Sequence, residues 1–131
     1  MVKMPVTIKA KVTEPLKAKI VADLQEDLKA ANLDLDQFEF SAKRAMNEQA
    51  NQDDGLLPQL QRQIEMERSK RTEVRDNVAK QLKKAEKLEL GAEIGHGQIE
   101  RTVELEIGTD LDQLLGAEIV IEDGKIIAFR A

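Results

Sequence analysis

The sequence contains no Cys, no Trp and no Tyr, and its single His is His96. Without Cys there are no disulfides, thiolate metal sites or cysteine nucleophiles, and one imidazole leaves almost none of the usual acid–base or zinc arrangements. No metal, cofactor or catalytic residue is therefore expected, and an enzyme is disfavoured. Aromatic residues make up 2% of the chain, as Phe38, Phe40 and Phe129, against 34% charged residues, a balance that argues against a thick globular core. No apolar run approaches the roughly 18 residues of a membrane span. The start, Met1 to Ala10, lacks the apolar stretch of a signal peptide, so a cytoplasmic location away from membranes is expected. At 131 residues the chain has the size of one domain.

What the sequence does have is charge, and the charge is segregated. The net charge of -5 divides into a basic start (1–19), an acidic block (20–61), a basic block (62–87) and an acidic end (88–131). Acidic and basic segments of similar length, one after the other, suit two neighbouring antiparallel helices that attract each other. The alternative takes Arg68, Lys70, Arg71, Arg75, Lys80, Lys83, Lys84 and Lys87 as a phosphate-binding stripe. Acidic residues interrupt that stripe and no aromatics are interleaved for base stacking, so the first reading is preferred.

Periodicity supplies the elements. Val6, Ile8, Ala10 and Val12 alternate with polar residues, as in a half-buried strand. Thr13, Glu14 and Pro15 then read as a helix start. Leu16, Ile20, Leu24, Leu28, Ala31, Leu35, Phe38, Ala42 and Ala45 recur at steps of three or four, the narrow stripe of a helix lying along one partner. Asn51 to Gly55 form a polar turn cluster with Pro58 beyond it. Leu60, Ile64, Val74, Val78, Ala85 and Leu88 continue a similar stripe toward Gly91. Two helices of about 30 residues, each about 45 Å long, are predicted. Asn32, Asp34 and Asp36 weaken the first and are a candidate kink. Glu67, Arg68 and Arg71 make the seam thin or wet in the second.

Leu33 and Leu35, like Phe38 and Phe40, lie two residues apart, about 200° around a helix, so one of each pair must face away from the seam. A lone two-helix hairpin buries little apolar surface. Leu33 and Phe40 are therefore the expected contacts with a second copy of the chain.

Beyond Gly91, Ile99, Arg101, Val103, Leu105 and Ile107 alternate with Glu100, Thr102, Glu104 and Glu106, a strand with one solvated face. Thr109 and Asp110 can cap a short helical turn through Leu111, Leu114 and Leu115. Ile119 and Ile121 lead into Asp123-Gly124, a hairpin signal, and Lys125 to Phe129 lead out. Leu-Gly-Ala-Glu-Ile occurs at 90–94 and again at 115–119. It is read as a helix-ending glycine leading twice into a strand rather than as a duplicated binding loop. The fold class is then α+β: a long antiparallel two-helix coiled-coil hairpin (13–90) inserted after the first strand of a small antiparallel β domain (1–12 plus 91–131). Val6, Ile8, Val103, Leu105, Ile107, Ile119, Ile121 and either Ile127 or Phe129 are its expected core.

With these elements in place the chain resembles the YlqD-like family of small uncharacterised bacterial proteins. The likeness rests on the opening strand Val6 to Val12, the charged hairpin, and above all Val103-Glu-Leu-Glu-Ile-Gly-Thr-Asp110 followed by Glu118-Ile-Val-Ile-Glu-Asp-Gly124. The resemblance implies a β and coiled-coil protein without an assigned activity, and it transfers no catalytic residue.

No constellation of residues carries chemistry. His96, between Gly95 and Gly97, has no evident accomplice and reads as a solvated loop residue. Ser41 and Ser69 lack the elbow that exposes a nucleophile. Asp53-Asp54-Gly55 and Asp110 with Asp112 lack the ligand spacing of a calcium loop. Glu100, Glu104 and Glu106 form a solvated row, and no Gly-rich phosphate loop occurs. Two function classes remain. One is a non-catalytic interaction or scaffold protein whose helical hairpin clamps or spaces a protein partner, itself a homo-oligomer. The other is an RNA- or ribosome-associated factor that uses Arg68, Arg71, Arg75, Lys83 and Lys84 with the N-terminal lysines.

Overall fold

The structure is a computed structural model that describes residues 1–52 and 55–130. Its elements run β1 (Val2–Lys11), α1 (Glu14–Ala50), α2 (Leu57–Glu86), β2 (Glu93–Val103), α3 (Leu111–Leu115), β3 (Glu118–Glu122) and β4 (Lys125–Arg130). Helices α1 and α2 form the hairpin between β1 and the remaining strands, an α+β arrangement. The chain divides into two compact units, residues 1–19 with 87–131, and residues 20–86.

In the first unit the strands order β2-β1-β3-β4. The β1–β2 and β3–β4 pairs are antiparallel, as expected, but β1 and β3 are parallel. The parallel pair follows from connectivity, because the hairpin and the whole of β2 intervene and bring the chain back to the end from which β1 started. The helix-start signal at 13–15 is realised: Thr13 Oγ1 accepts from Leu16 N–H at 3.3 Å and donates to Asp123 Oδ1 at 2.6 Å. Asp123 (φ 49) and Gly124 (φ 82) both take the left-handed conformation that a tight strand-to-strand turn requires. Asp110 caps α3 by accepting from Asp112 and Gln113 N–H.

Two strand limits differ from expectation. The strand read over Ile99 to Ile107 begins at Glu93 and stops at Val103, leaving Leu105 exposed and Ile107 fully so. The ladder with β1 ends there, with Val103 paired to Val2. Gly108 (φ 96), together with Thr109 Oγ1 accepting from Glu106 N–H, then turns the chain. At the other end His96 belongs to the strand rather than to a loop. Ile8 pairs with Gly97 and Lys9 with Gly95, so His96 is the extra residue of a β-bulge.

The core is small. Met4, Val6, Ala10 and Val12 are buried along one face of β1, and Ala117 and Val120 complete the set for this unit. Register assigns Ile119 and Ile121 to the face of Ile8 and Ala10, and Val120 to that of Lys9. Val120, 1% exposed, therefore lies on the side of the sheet opposite Met4, Val6 and Ala10 and is the best-buried side chain of β3, whereas the expected core positions Ile119 and Ile121 are half-buried and Ile127 and Phe129 are exposed. Three consecutive β-branched residues carry no alternation, so parity in β3 is not encoded by pattern. A bulge between Val120 and Ile121 then moves the parity of β4.

In the second unit α1 runs unbroken through Asn32, Asp34 and Asp36, with Leu35 buried between them. Leu24, Leu28, Ala31, Leu35, Phe38, Ala42 and Ala45 are its covered positions, stepping by four and three. Those of α2 are Ile64, Arg68, Arg71, Arg75, Val78, Leu82 and Ala85, in the same steps. Val74, expected in the seam, is 58% exposed because Arg71 and Arg75 hold the register at that level. The helical unit is narrower than the 13–90 stretch drawn from the pattern. The start of α1 and residues 87–90 are tied to one another, with Lys17 Nζ donating to Leu88 O at 2.9 Å.

Val120→Ala is expected to cost about 2 kcal/mol in urea unfolding, the transfer and cavity cost of a fully buried valine. Ile121→Ala should cost less. The opposite ranking would show that the face assignment of β3 is wrong.

Candidate functional site

The hairpin's chemistry is concentrated where three arginines, Arg68, Arg71 and Arg75, fall on successive seam positions of α2. Long side chains at such positions must either snorkel out or find acids across the seam. Arg68 does the latter. Its Nε donates to Glu39 Oε1 at 2.5 Å and its Nη2 to Glu39 Oε2 at 3.0 Å, a two-pronged pair across the helices, and Nη1 also meets Glu65. The hydrogen bond from Arg68 holds the Glu39 carboxyl below its ordinary value; partial burial opposes this and the arginine charge adds to it. The same bond raises Arg68.

Arg71 is held differently. Its guanidinium lies 4.5 Å from the Phe38 ring centroid, and Nη1 donates to Glu67 at 2.8 Å. Its Nε is buried 3.3 Å from Asp34 Oδ2, an ion-pair distance without hydrogen-bond alignment. Arg75 is paired with its own neighbour Asp76 at 3.1 Å. Of the residues proposed from sequence for nucleic-acid contact, Arg68 and Arg71 are therefore engaged with acids of α1, and Lys83 and Lys84 lie exposed in the last turn of α2. The structure does not bring these five together into one charged surface.

The other expected site residues are on the outside. Leu35 and Phe38 take the seam, leaving Leu33 57% and Phe40 72% exposed, seven residues apart on the opposite side of α1. Beside Phe40 runs a groove of about 740 Å³ between the helices, bordered by Glu39, Phe40, Met46, Gln61, Ile64 and Arg68. Its polar side is the Glu39–Arg68 pair and its apolar side is Phe40, Met46 and Ile64. Sequence reasoning missed this groove, because Met46 lies one residue past the stripe position Ala45.

Elsewhere the chemical inventory is sparse. His96 borders a cavity of about 420 Å³ with Ala10, Leu16, Lys19, Ile121 and Asp123. The repeated pentapeptides do lead into strands, and their glutamates, Glu93 and Glu118, converge on Arg130 at 2.5 and 3.7 Å. Lys9 joins Glu118 at 3.1 Å. The Arg130 hydrogen bond holds Glu93 below its ordinary value; partial burial opposes it, and the charges of Arg130, Lys9 and Lys11 assist it. Among the described residues no group of His, Asp and Glu could hold a metal ion, and no helix is long and apolar enough to cross a membrane. Of the turn acids considered for a cation, Asp53 and Asp54 lie outside the described residues.

Two measurements probe the arginine layer. Arg75→Leu puts an apolar side chain at a seam position whose charge, among the described residues, is paired within α2 to Asp76 and not across the seam, and should stabilise the hairpin by about 1 kcal/mol. Arg68→Leu should destabilise it, because it strips Glu39 of its partner; thermal unfolding followed by helical circular dichroism ranks the two. The second measurement uses pH. A carboxyl depressed in the folded state contributes stability that is present above its unfolded value, about pH 4.3, and lost as pH falls through the folded one. Glu39→Gln should therefore be less stable than wild type at pH 7 and lose less on acidification. Parallel curves would mean that the pair contributes nothing.

The comparisons with known proteins add a family and a fold. A crystal structure of a protein of unknown function from Synechococcus sp. WH 8102 matches 99% of this chain and 93% of its own, with a TM-score of 0.79 at 23% identity. That likeness is one of fold alone. No curated protein matches the sequence. The model of the YlqD protein family matches residues 1–130, and the chain belongs to that family.

Proposed function

We propose that this chain is a non-catalytic protein-interaction scaffold, acting in the cytoplasm, whose coiled-coil hairpin receives a helical partner along the outer side of α1. The observation that carries this reading is the sorting of side chains in the hairpin. Arg68 and Arg71, which would serve a charged ligand, are turned inward to acids and an aromatic ring, while Leu33 and Phe40 are turned out. Two apolar side chains seven residues apart match the anchor spacing of helix-on-helix recognition. The neighbouring groove offers a further apolar wall through Met46 and Ile64, with Glu39 and Arg68 as a polar rim. A second copy of the chain supplies a suitable helix in α1 itself, with its acidic side facing the basic exposed residues of α2.

An RNA-associated role is the weaker reading, because Arg68 and Arg71 are engaged by acids across the seam and Lys70 and Arg75 by acids of their own helix. The two separate in solution. Leu33→Glu/Phe40→Glu should weaken self-association in sedimentation and leave helical content unchanged. Binding to a mixed-sequence RNA should be absent at near-physiological salt. Tight RNA binding that falls steeply with salt and is lost in Lys83→Glu/Lys84→Glu would overturn the proposal in favour of its rival.

A further inference from the structure

The first unit, residues 1–19 with 87–131, has a second surface that the hairpin does not explain. Register places Ile99 beside Val6, and Gly97, Ile8, Ile119 and Phe129 in one row across all four strands. The next row is Ala10, Ile121 and Ile126. All of these residues share one face of the sheet. Part of that face is covered: Met4, Val6 and Ala10 are buried, and Pro15, Leu16 and Lys19 from the start of α1 border a cavity with Ala10 and Ile121. The row between is open. Ile8 and Ile119 are half-buried, and Ile99, Ile126 and Phe129 are 47%, 57% and 76% exposed. A Cβ placed on Gly97 would meet nothing within 4 Å.

From this we infer that the open sheet face is a dimer interface, with a second copy of the chain seated on it through Phe129 and the Gly97–Ile8–Ile119 row. Three observations favour a second copy over another occupant. The first is self-complementarity: the row ends in a protruding ring at β4 and in a strip without a side chain at β2. A twofold axis along the strands lays each Phe129 over the partner's Gly97. The second is area. Side chains of this size present on the order of 150–250 Å² when free. At the observed exposures the face therefore leaves roughly 400 Å² of apolar surface, the size of a monomer's largest patch, which is often functional. That is about half of the roughly 800 Å² per partner of a standard interface, so the polar edges of the strands must supply the rest. The third is charge, since this unit carries nine basic against eleven acidic residues and so repels its own copy weakly. The isolated core, mostly valine and alanine, is also thin for a unit of this size.

This inference is independent of the hairpin contact, and the test separates them. In the Leu33→Glu/Phe40→Glu background, which removes the hairpin surface, the chain should still sediment as a dimer at tens of micromolar. Phe129→Ala should raise the dimer dissociation constant at least tenfold. Gly97→Val should do the same by filling the strip, and its open surroundings and ordinary backbone leave the fold intact, as circular dichroism will check. A monomeric background protein overturns the sheet interface, as does a dimer indifferent to both sheet variants. If wild type self-associates and only Leu33→Glu/Phe40→Glu abolishes this, the hairpin reading stands and the sheet interface falls.

Discussion

Two backbone hydrogen bonds at Val12 hold the topology together. Val12 N–H donates to Ala92 O at 2.7 Å, and Gly91 N–H donates to Val12 O at 2.8 Å. They fasten the point where the chain leaves the first strand to the point where it returns, and Gly91 can serve there because its φ of 88 is open to glycine. The Lys17 ammonium on Leu88 O, across 71 positions, is part of the same fastening. Closing a free loop of that length costs about 4 kcal/mol in chain entropy. The cost falls when the excursion is two helices that already return on themselves. Seam and fastening therefore support one another: β1 and β2 can pair over their full length only because α1 and α2 bring Gly91 back to Val12.

The hairpin's own register is held by polar contacts together with apolar ones. Positions of the α1 stripe one heptad apart are not alike, with Leu35 followed by Ala42 and Phe38 flanked by Ala31 and Ala45, so sliding α2 by one heptad would change apolar as well as polar contacts. Such a slide would set Arg71 against Ala31 or Ala45 in place of Phe38, and Arg68 would lose Glu39. Half-buried charges stranded in this way are strongly unfavourable. A seam arginine thus contributes little net stability and much discrimination, the role played by single polar residues in helical pairs.

How much of this was legible depended on whether a pattern had one solution. The α1 stripe, the Thr13 cap and the Asp123-Gly124 turn were legible because each names a local geometry that few alternatives satisfy. The end of β2 was not: Leu105 and Ile107 continue a faultless alternation, although the last pair of the ladder is Val103 with Val2 and Gly108 with Thr109 turns the chain beyond it. The burial of Val120 was hidden by Ile119 and Ile121 on either side. Val74 was misplaced because an apolar residue was preferred to Arg75 one position away, although the three-and-four spacing from Ile64 favours the arginine. For the candidate site, the outward turn of Leu33 and Phe40 followed from angular arithmetic. The groove beside Phe40 needed the second helix in place.

The scarcity of aromatics that opened the sequence is where the physical logic ends. A chain with three phenylalanines would gain most by burying all of them. Instead Phe38 is in the seam beneath Arg71, and Phe40 and Phe129 are 72% and 76% exposed, one in each unit. The interior is built from smaller residues, Val, Ala and one Met in the strands. Small side chains fill the interior while the largest apolar groups stand in water, and those exposed rings are the surfaces on which the two proposed contacts draw. Neither unit can withdraw its ring without breaking a register that the rest of the structure requires. Phe129 is fixed outward by its pairing with Ile119, and Phe40 by the commitment of Phe38 and Ala42 to the seam.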